Sequence, residues 1–131
     1  MGNWARTSAS DITDFYQQLA LLTRSNLPLP RSLYQLSRHF PKRDFKEALA
    51  QLEALTAGGT KLTDGLKRFP QFFHPFHVQL ILAGETTGTL PEALLVVARF
   101  ARFSRLITTM TKDIALYPLT VINLALGLFM Y

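Results

Sequence analysis

Apolar residues recur at intervals of three and four along most of this chain, the spacing that keeps one face of an α-helix away from water. Ile12, Phe15, Leu19 and Leu22 mark the first such face. A helix is expected there from about Asp11, with Ser10 as its cap, ending at Asn26 and Pro28. Pro30 suits the first turn of a second helix, which carries Leu33, Leu36 and Phe40 inward and stops at Pro41. A third starts near Asp44 with Phe45, Leu49, Leu52 and Leu55 on one side. Gly58-Gly59 then supplies the left-handed ending that helices favour. A short fourth helix, with Leu62, Leu66 and Phe69 inward, closes at Pro70. The fifth begins near Pro75 with Phe76, Leu80, Ile81 and Ala83, and Gly84 and Gly88 are expected to interrupt it. The sixth starts around Leu90, with Pro91 in its first turn and Leu94, Val97, Ala98 and Ala101 inward.

Strict apolar/polar alternation is absent, and β-branched residues do not cluster before the tail. The pattern therefore predicts an all-α protein, an antiparallel six-helix bundle over residues 11–113 behind a flexible lead of residues 1–10.

The tail departs from amphipathic spacing. Residues 114–131 read IALYPLTVINLALGLFMY and contain no charged side chain. That approaches the roughly 20 apolar residues of a membrane-crossing helix. The last helix is thus expected to lead into a truncated transmembrane span, of which 114–131 are the start. Arg99, Arg102, Arg105 and Lys112 precede it. Basic flanks are kept on the cytoplasmic side, so residues 1–113 are expected to face the cytoplasm. The opening MGNWARTSAS has no apolar run, and no signal peptide is expected.

Composition narrows the chemistry. The 131 residues suit one soluble domain, and the absence of cysteine removes thiol and disulfide chemistry. Fourteen basic against nine acidic residues give a net charge of +5, compatible with nucleic acid, anionic lipid or an acidic protein. Arg38, Lys42, Arg43 and Lys46 gather near the second turn. They raise the alternative of a membrane-anchored basic regulator that binds nucleic acid, although no helix-turn-helix pattern accompanies them. His74 and His77 would share a helix face. With Pro75 between them and no carboxylate at ligand spacing, they and His39 read as helix-start and surface histidines, and no metal is expected. Glu85 and Glu92 are the acid pair closest to catalytic spacing, yet Glu92 is more simply a first-turn acid of the sixth helix. No catalytic residue, cofactor or small-molecule substrate is expected.

One stretch resists the amphipathic reading: Gly84-Glu85-Thr86-Thr87-Gly88-Thr89-Leu90-Pro91. It lacks the lysine and the spacing of a phosphate loop, and Glu85 would repel phosphate. It reads instead as a joint. The glycines let the backbone turn or let another helix come close, and Thr87 or Thr89 caps the sixth helix, with Glu92 completing a capping box. Glu85 is left over. It is expected to fix the turn by accepting hydrogen bonds near the following helix and to help hold a partner helix. A cation bound by Glu85 or Asp64 at an interface stays open, since oxygen-only sites leave little trace in a sequence.

These residues resemble the type II secretion F domain, the cytoplasmic part of the inner-membrane platform protein of type II secretion and type IV pilus assembly. The most specific likeness is Gly84 to Leu90 with Ala93-Leu94, similar to the family's G-E-x-[ST]-G-x-L. Phe15 to Leu22, Asn26-Leu27-Pro28-Leu29 with Leu33, and Gly59-Thr60-Lys61-Leu62 with Leu66 follow in order. So do Phe69-Pro70 and, before the apolar tail, Lys112 with Ala115-Leu116-Tyr117-Pro118. Asn26 stands where the family usually has glycine, and asparagine tolerates the left-handed region better than most residues. The resemblance implies a non-enzymatic scaffold in the bacterial inner membrane, this domain facing the cytoplasm. It implies the assembly ATPase, other subunits of the machine and a second copy as partners, and no nucleic acid. Gly84, Glu85, Thr87, Gly88 and Leu90 would form the structural joint. Tyr117 and Pro118 would begin the span, and Arg99, Arg102 and Arg105 would touch membrane or partner.

Overall fold

The computed structural model describes residues 9–103 and 124–129, and these are helices joined by short turns. The chain divides into two compact units, Met1–Arg99 and Phe100–Tyr131. In the first, α1 spans Ala9–Arg24, α2 Leu29–Ser37, α3 Arg43–Ala57, α4 Leu62–Leu66 and α5 Pro75–Thr87, and residues 90–99 form α6. The all-helical class is the one the periodicity predicts. In the second unit, residues 100–103 and 124–129 are helical, and Leu124, Leu126, Leu128 and Phe129 are exposed. Among the described residues no helix is long and apolar enough to cross a membrane. Most of the expected span, with Tyr117 and Pro118, lies outside the described residues.

The core of the first unit is built from the predicted stripes. Phe15, Leu19, Leu33, Leu49, Leu52 and Ile81 are fully buried. Phe15 meets Phe45 edge on at 5.6 Å and Phe73 at 5.5 Å, so aromatic rings from α1, α3 and the α4–α5 connection share one cluster. Among α1 to α5 the most extensive pairing is α2 against α3. Two expected assignments move. Phe76 is 46% exposed, and Phe73, just before the α5 cap His74, takes the inward place. Ser10 sits inside α1 rather than capping it.

Three helices close in the same way. In a Schellman closure, the residue after the helix turns left-handed and the next amide reaches back five residues. At the end of α1, Asn26 has φ 66° and the Leu27 amide donates to the Leu22 carbonyl at 3.2 Å. After α3, Gly59 has φ 99° and the Thr60 amide donates to the Leu55 carbonyl at 2.9 Å. After α5, Gly88 has φ 76° and the Thr89 amide donates to the Gly84 carbonyl at 2.8 Å. Asparagine thus fills a glycine-type position at 26, as expected.

Candidate functional site

The expected break of the fifth helix at Gly84 does not occur. α5 runs through Gly84 and Glu85 to Thr87 before Gly88 ends it. Glycine in a helix interior costs about 1 kcal/mol relative to alanine, so another demand must hold it there. That demand is space. A Cβ on Gly84 would lie 2.3 Å from the Ala93 Cβ of α6 and 3.0 Å from the Thr89 carbonyl oxygen. The bare Cα lets α6 fold back closely against α5. Leu90, in the first turn of α6, packs partly buried against the core.

The threonines secure the turn without the expected capping box. Thr87 Oγ1 donates to the Ala83 carbonyl at 2.9 Å and lies 2.8 Å from Thr89 Oγ1. The Thr89 hydroxyl is therefore engaged with Thr87, and the Thr89 carbonyl accepts from the Ala93 amide at 3.1 Å in the first turn of α6.

Glu85 serves a different helix from the one expected. Its side chain crosses to the start of α4, which lies 22 to 23 residues earlier in the chain. Oε2 accepts from the Leu62 amide at 2.7 Å, and Oε1 accepts from the Thr63 amide at 3.3 Å and from the Thr63 hydroxyl at 2.6 Å. These amides belong to the first turn of a helix and have no partner inside it. Lys61 precedes α4 and provides no side-chain cap. Glu85 is thus the cap of α4, delivered through space, and its negative charge sits at the positive end of the α4 dipole.

Thr63 shows what this bond is for. Three polar side chains are buried among the described residues: Thr13, Ser32 and Thr63. Thr13 and Ser32 return their hydroxyls to carbonyls one turn back, Ala9 at 2.9 Å and Pro28 at 3.1 Å. Thr63 alone of the three bonds to a residue far from it in the chain. Next to it, Gly65 lies so near α3 that a Cβ would meet Leu52 Cδ2 at 2.7 Å. α4 is therefore pressed against α3 on one side and tied to the α5–α6 joint on the other.

The remaining candidates separate. Glu85 spends both oxygens on α4, and Asp64 is exposed. Among the described residues no group of three His, Asp or Glu could hold a metal ion. His74 is the cap of α5, its Nδ1 accepting from the Phe76 amide at 3.1 Å. His77 is half-buried, with Nδ1 at 3.3 Å from the Tyr16 hydroxyl, so it is not the surface histidine expected. Burial, then the neighbouring His74 charge, holds its pKa below the ordinary histidine value. Within the basic cluster Arg43 pairs with Glu47 at 3.2 Å, and Arg38 donates to Tyr34 Oη at 3.0 Å. Arg99 is exposed on α6, Arg102 of the second unit is exposed, and Arg105 lies outside the described residues.

The joint and the α4 cap belong to a region with known relatives. Residues 15–131 match the family described as Type II secretion system (T2SS), protein F. The chain is 31% identical over 117 residues to the Type IV pilus assembly protein PilC of Myxococcus xanthus, covering 89% of this chain and 28% of that protein. It is 27% identical over 122 residues to the Type IV pilus assembly protein TapC of Aeromonas hydrophila, covering 93% and 30%. It is 26% identical over 121 residues to the Type II secretion system protein F of Vibrio cholerae, covering 92% and 30%. The chain thus spans less than a third of the length of these three relatives.

Proposed function

From the premise that this chain belongs to the type II secretion system protein F family, we propose that it is a mechanical, non-enzymatic part of a secretion or pilus assembly machine. In this reading it is a cytoplasmic domain of an inner-membrane platform protein, with residues 114–131 starting the membrane span. It links the assembly ATPase to the insertion of pilin or pseudopilin subunits, and it associates with other machine subunits and with itself. The names of its relatives as type IV pilus assembly and type II secretion proteins support the assembly role. They do not favour the nucleic-acid alternative.

The observation that carries the mechanical reading is the Glu85 cap of α4. A load that shifts the α5–α6 joint moves the Glu85 carboxylate, and with it the side-chain cap of α4. Three elements then respond as one body to force entering through α6. Arg99, Arg102 and Arg105 are the proposed membrane or partner contacts. The groove beside the joint, lined by Leu80, Ala83, Thr87 and the 53% exposed Val96, is the proposed seat for a partner helix.

The test is complementation. The full-length protein carrying Glu85→Gln is expected to fold, as judged by helical circular dichroism, yet to support much less pilus assembly or secretion than wild type. Normal assembly by a correctly folded Glu85→Ala protein would remove the joint from the mechanism.

A further inference from the structure

The second unit differs from the first in what it leaves to water. Its described residues include Phe100, Phe103, Leu124, Leu126, Leu128 and Phe129, and all of these are exposed, Phe103 by 60%. In the first unit, exposed large apolar side chains such as Leu21 and Phe76 stand beside a closed aromatic core. Scattered exposure of that kind is ordinary at a protein surface. A stretch whose large apolar side chains are all exposed calls for an apolar medium to receive it.

Charge decides between lipid and protein as that medium. Arg99, Arg102, Arg105 and Lys112 fall between residues 93 and 112, and no aspartate or glutamate does; Glu92 and Asp113 are the acids on either side. Elsewhere the signs mix, as where Arg43 pairs with Glu47 one helical turn away. A segment of one positive sign followed by the uncharged run 114–131 repeats the layers of a membrane surface, with anionic headgroups outside and hydrocarbon within. An acidic protein surface would answer the charge but not the exposed rings.

Helical geometry sorts the two chemistries. Phe100 and Phe103 are three residues apart in the helical stretch 100–103, so their rings share a face, and the exposed Arg102 adjoins it. An arginine lays its stem along apolar surface while its guanidinium stays in the polar layer. There the planar fork matches phosphate oxygens two at a time.

We infer that residues 100–103 form an interfacial anchor for anionic phospholipid: Phe100 and Phe103 enter the boundary between headgroups and acyl chains, and Arg102 binds headgroup phosphate. This inference rests on the membrane reading proposed above. It adds the sign of the lipid and the side chains that recognise it.

The chain reconstituted in lipid nanodiscs tests it, with tryptophan as the reporter. Trp4 is the single tryptophan of the sequence. Trp4→Phe with Phe103→Trp therefore reports on the anchor alone, and Trp4→Phe with Leu126→Trp on the tail. Quenching by lipids with brominated acyl chains is measured in neutral phosphatidylcholine and in phosphatidylcholine mixed with anionic phosphatidylglycerol. The tail should be quenched in both discs. The anchor should be quenched more strongly in the anionic disc, and added salt should reverse that gain. A basic residue near an anionic surface favours binding by about fivefold, so Arg102→Gln should lower the ratio of docked to free anchor about fivefold in that disc. Arg102→Lys keeps the charge and should keep most of the gain. Amide exchange at Phe103 of the wild-type chain gives the same reading without a reporter, as greater protection in the anionic disc. A quenched tail beside an anchor equally quenched in both discs would overturn the inference and leave the span standing. A quenched tail beside an anchor quenched in neither would overturn it too, and would give the rings to a protein partner. A tail quenched in neither disc would remove the membrane reading, and the anchor with it.

Discussion

The Glu85 carboxylate accepts the hydroxyl proton of the fully buried Thr63 at 2.6 Å, joining the last turn of α5 to the first turn of α4. Charge-assisted bonds of this kind contribute more than neutral ones. Glu85→Ala leaves a buried hydroxyl and two first-turn amides without their acceptor. It should destabilise the domain by about 2–3 kcal/mol. Glu85→Gln keeps one carbonyl acceptor and should lose about half as much. Urea unfolding of both variants gives the two values, and equal losses would show that the second oxygen contributes nothing.

Gly84 and Ala93 make the second prediction. Gly84→Ala gains helix propensity but forces its Cβ to within 2.3 Å of the Ala93 Cβ. Overpacking should win, for a net loss of about 1–3 kcal/mol. Adding Ala93→Gly should recover only part of this, because the Thr89 carbonyl oxygen still lies 3.0 Å from the new methyl. A double-mutant cycle measures the coupling, and strict additivity would contradict the close approach.

Gly88 and Asn26 share a left-handed backbone and should respond in opposite directions. At Gly88 a Cβ meets nothing within 4 Å, so Gly88→Ala pays only for its φ of 76°. The expected loss is about 1 kcal/mol. Asn26→Gly should be neutral or slightly stabilising, and Asn26→Ala should lose about 1 kcal/mol. Thermal unfolding separates the three variants.

Tyr16→Phe removes a buried hydroxyl while keeping the ring that packs against Phe15 and Phe73. With the bond to His77 gone, a loss of about 1 kcal/mol is expected. The His77 titration should shift as well, which NMR reads directly. An unmoved titration would mean that the Tyr16 contact does not influence the ring.

Much of this was legible in the sequence because it is local. Helix periodicity, proline placement and the glycine endings at 59 and 88 act within a few residues, as does the left-handed tolerance of Asn26. The role of Glu85 was only half legible. That it accepts backbone hydrogen bonds follows from its type, but its partners sit in a helix 22 residues earlier, a distance no local rule covers. The obvious candidate, the helix that follows it, was the wrong one. Gly84 was misread because breaker rules weigh propensity, whereas here the close approach of Ala93 decides. His74 is legible as a helix-start histidine, but its capping role is hidden for a similar reason. Histidine is an uncommon helix cap, and only the Phe76 amide pointing at its Nδ1 reveals the function.

The brevity of α4 has a consequence for the order in which this domain forms. Five residues are too few to nucleate a helix alone, since the first turn fixes several dihedrals for one hydrogen bond. Its amides gain their acceptor only when the end of α5 arrives, and that requires closing a loop of more than twenty residues. α2 and α3 are joined by a short connection and can pair early. α4 has to wait for chain that follows it in the sequence. On a ribosome, where the chain emerges from its N-terminal end, α4 would leave the tunnel unable to hold its shape and would complete the domain last.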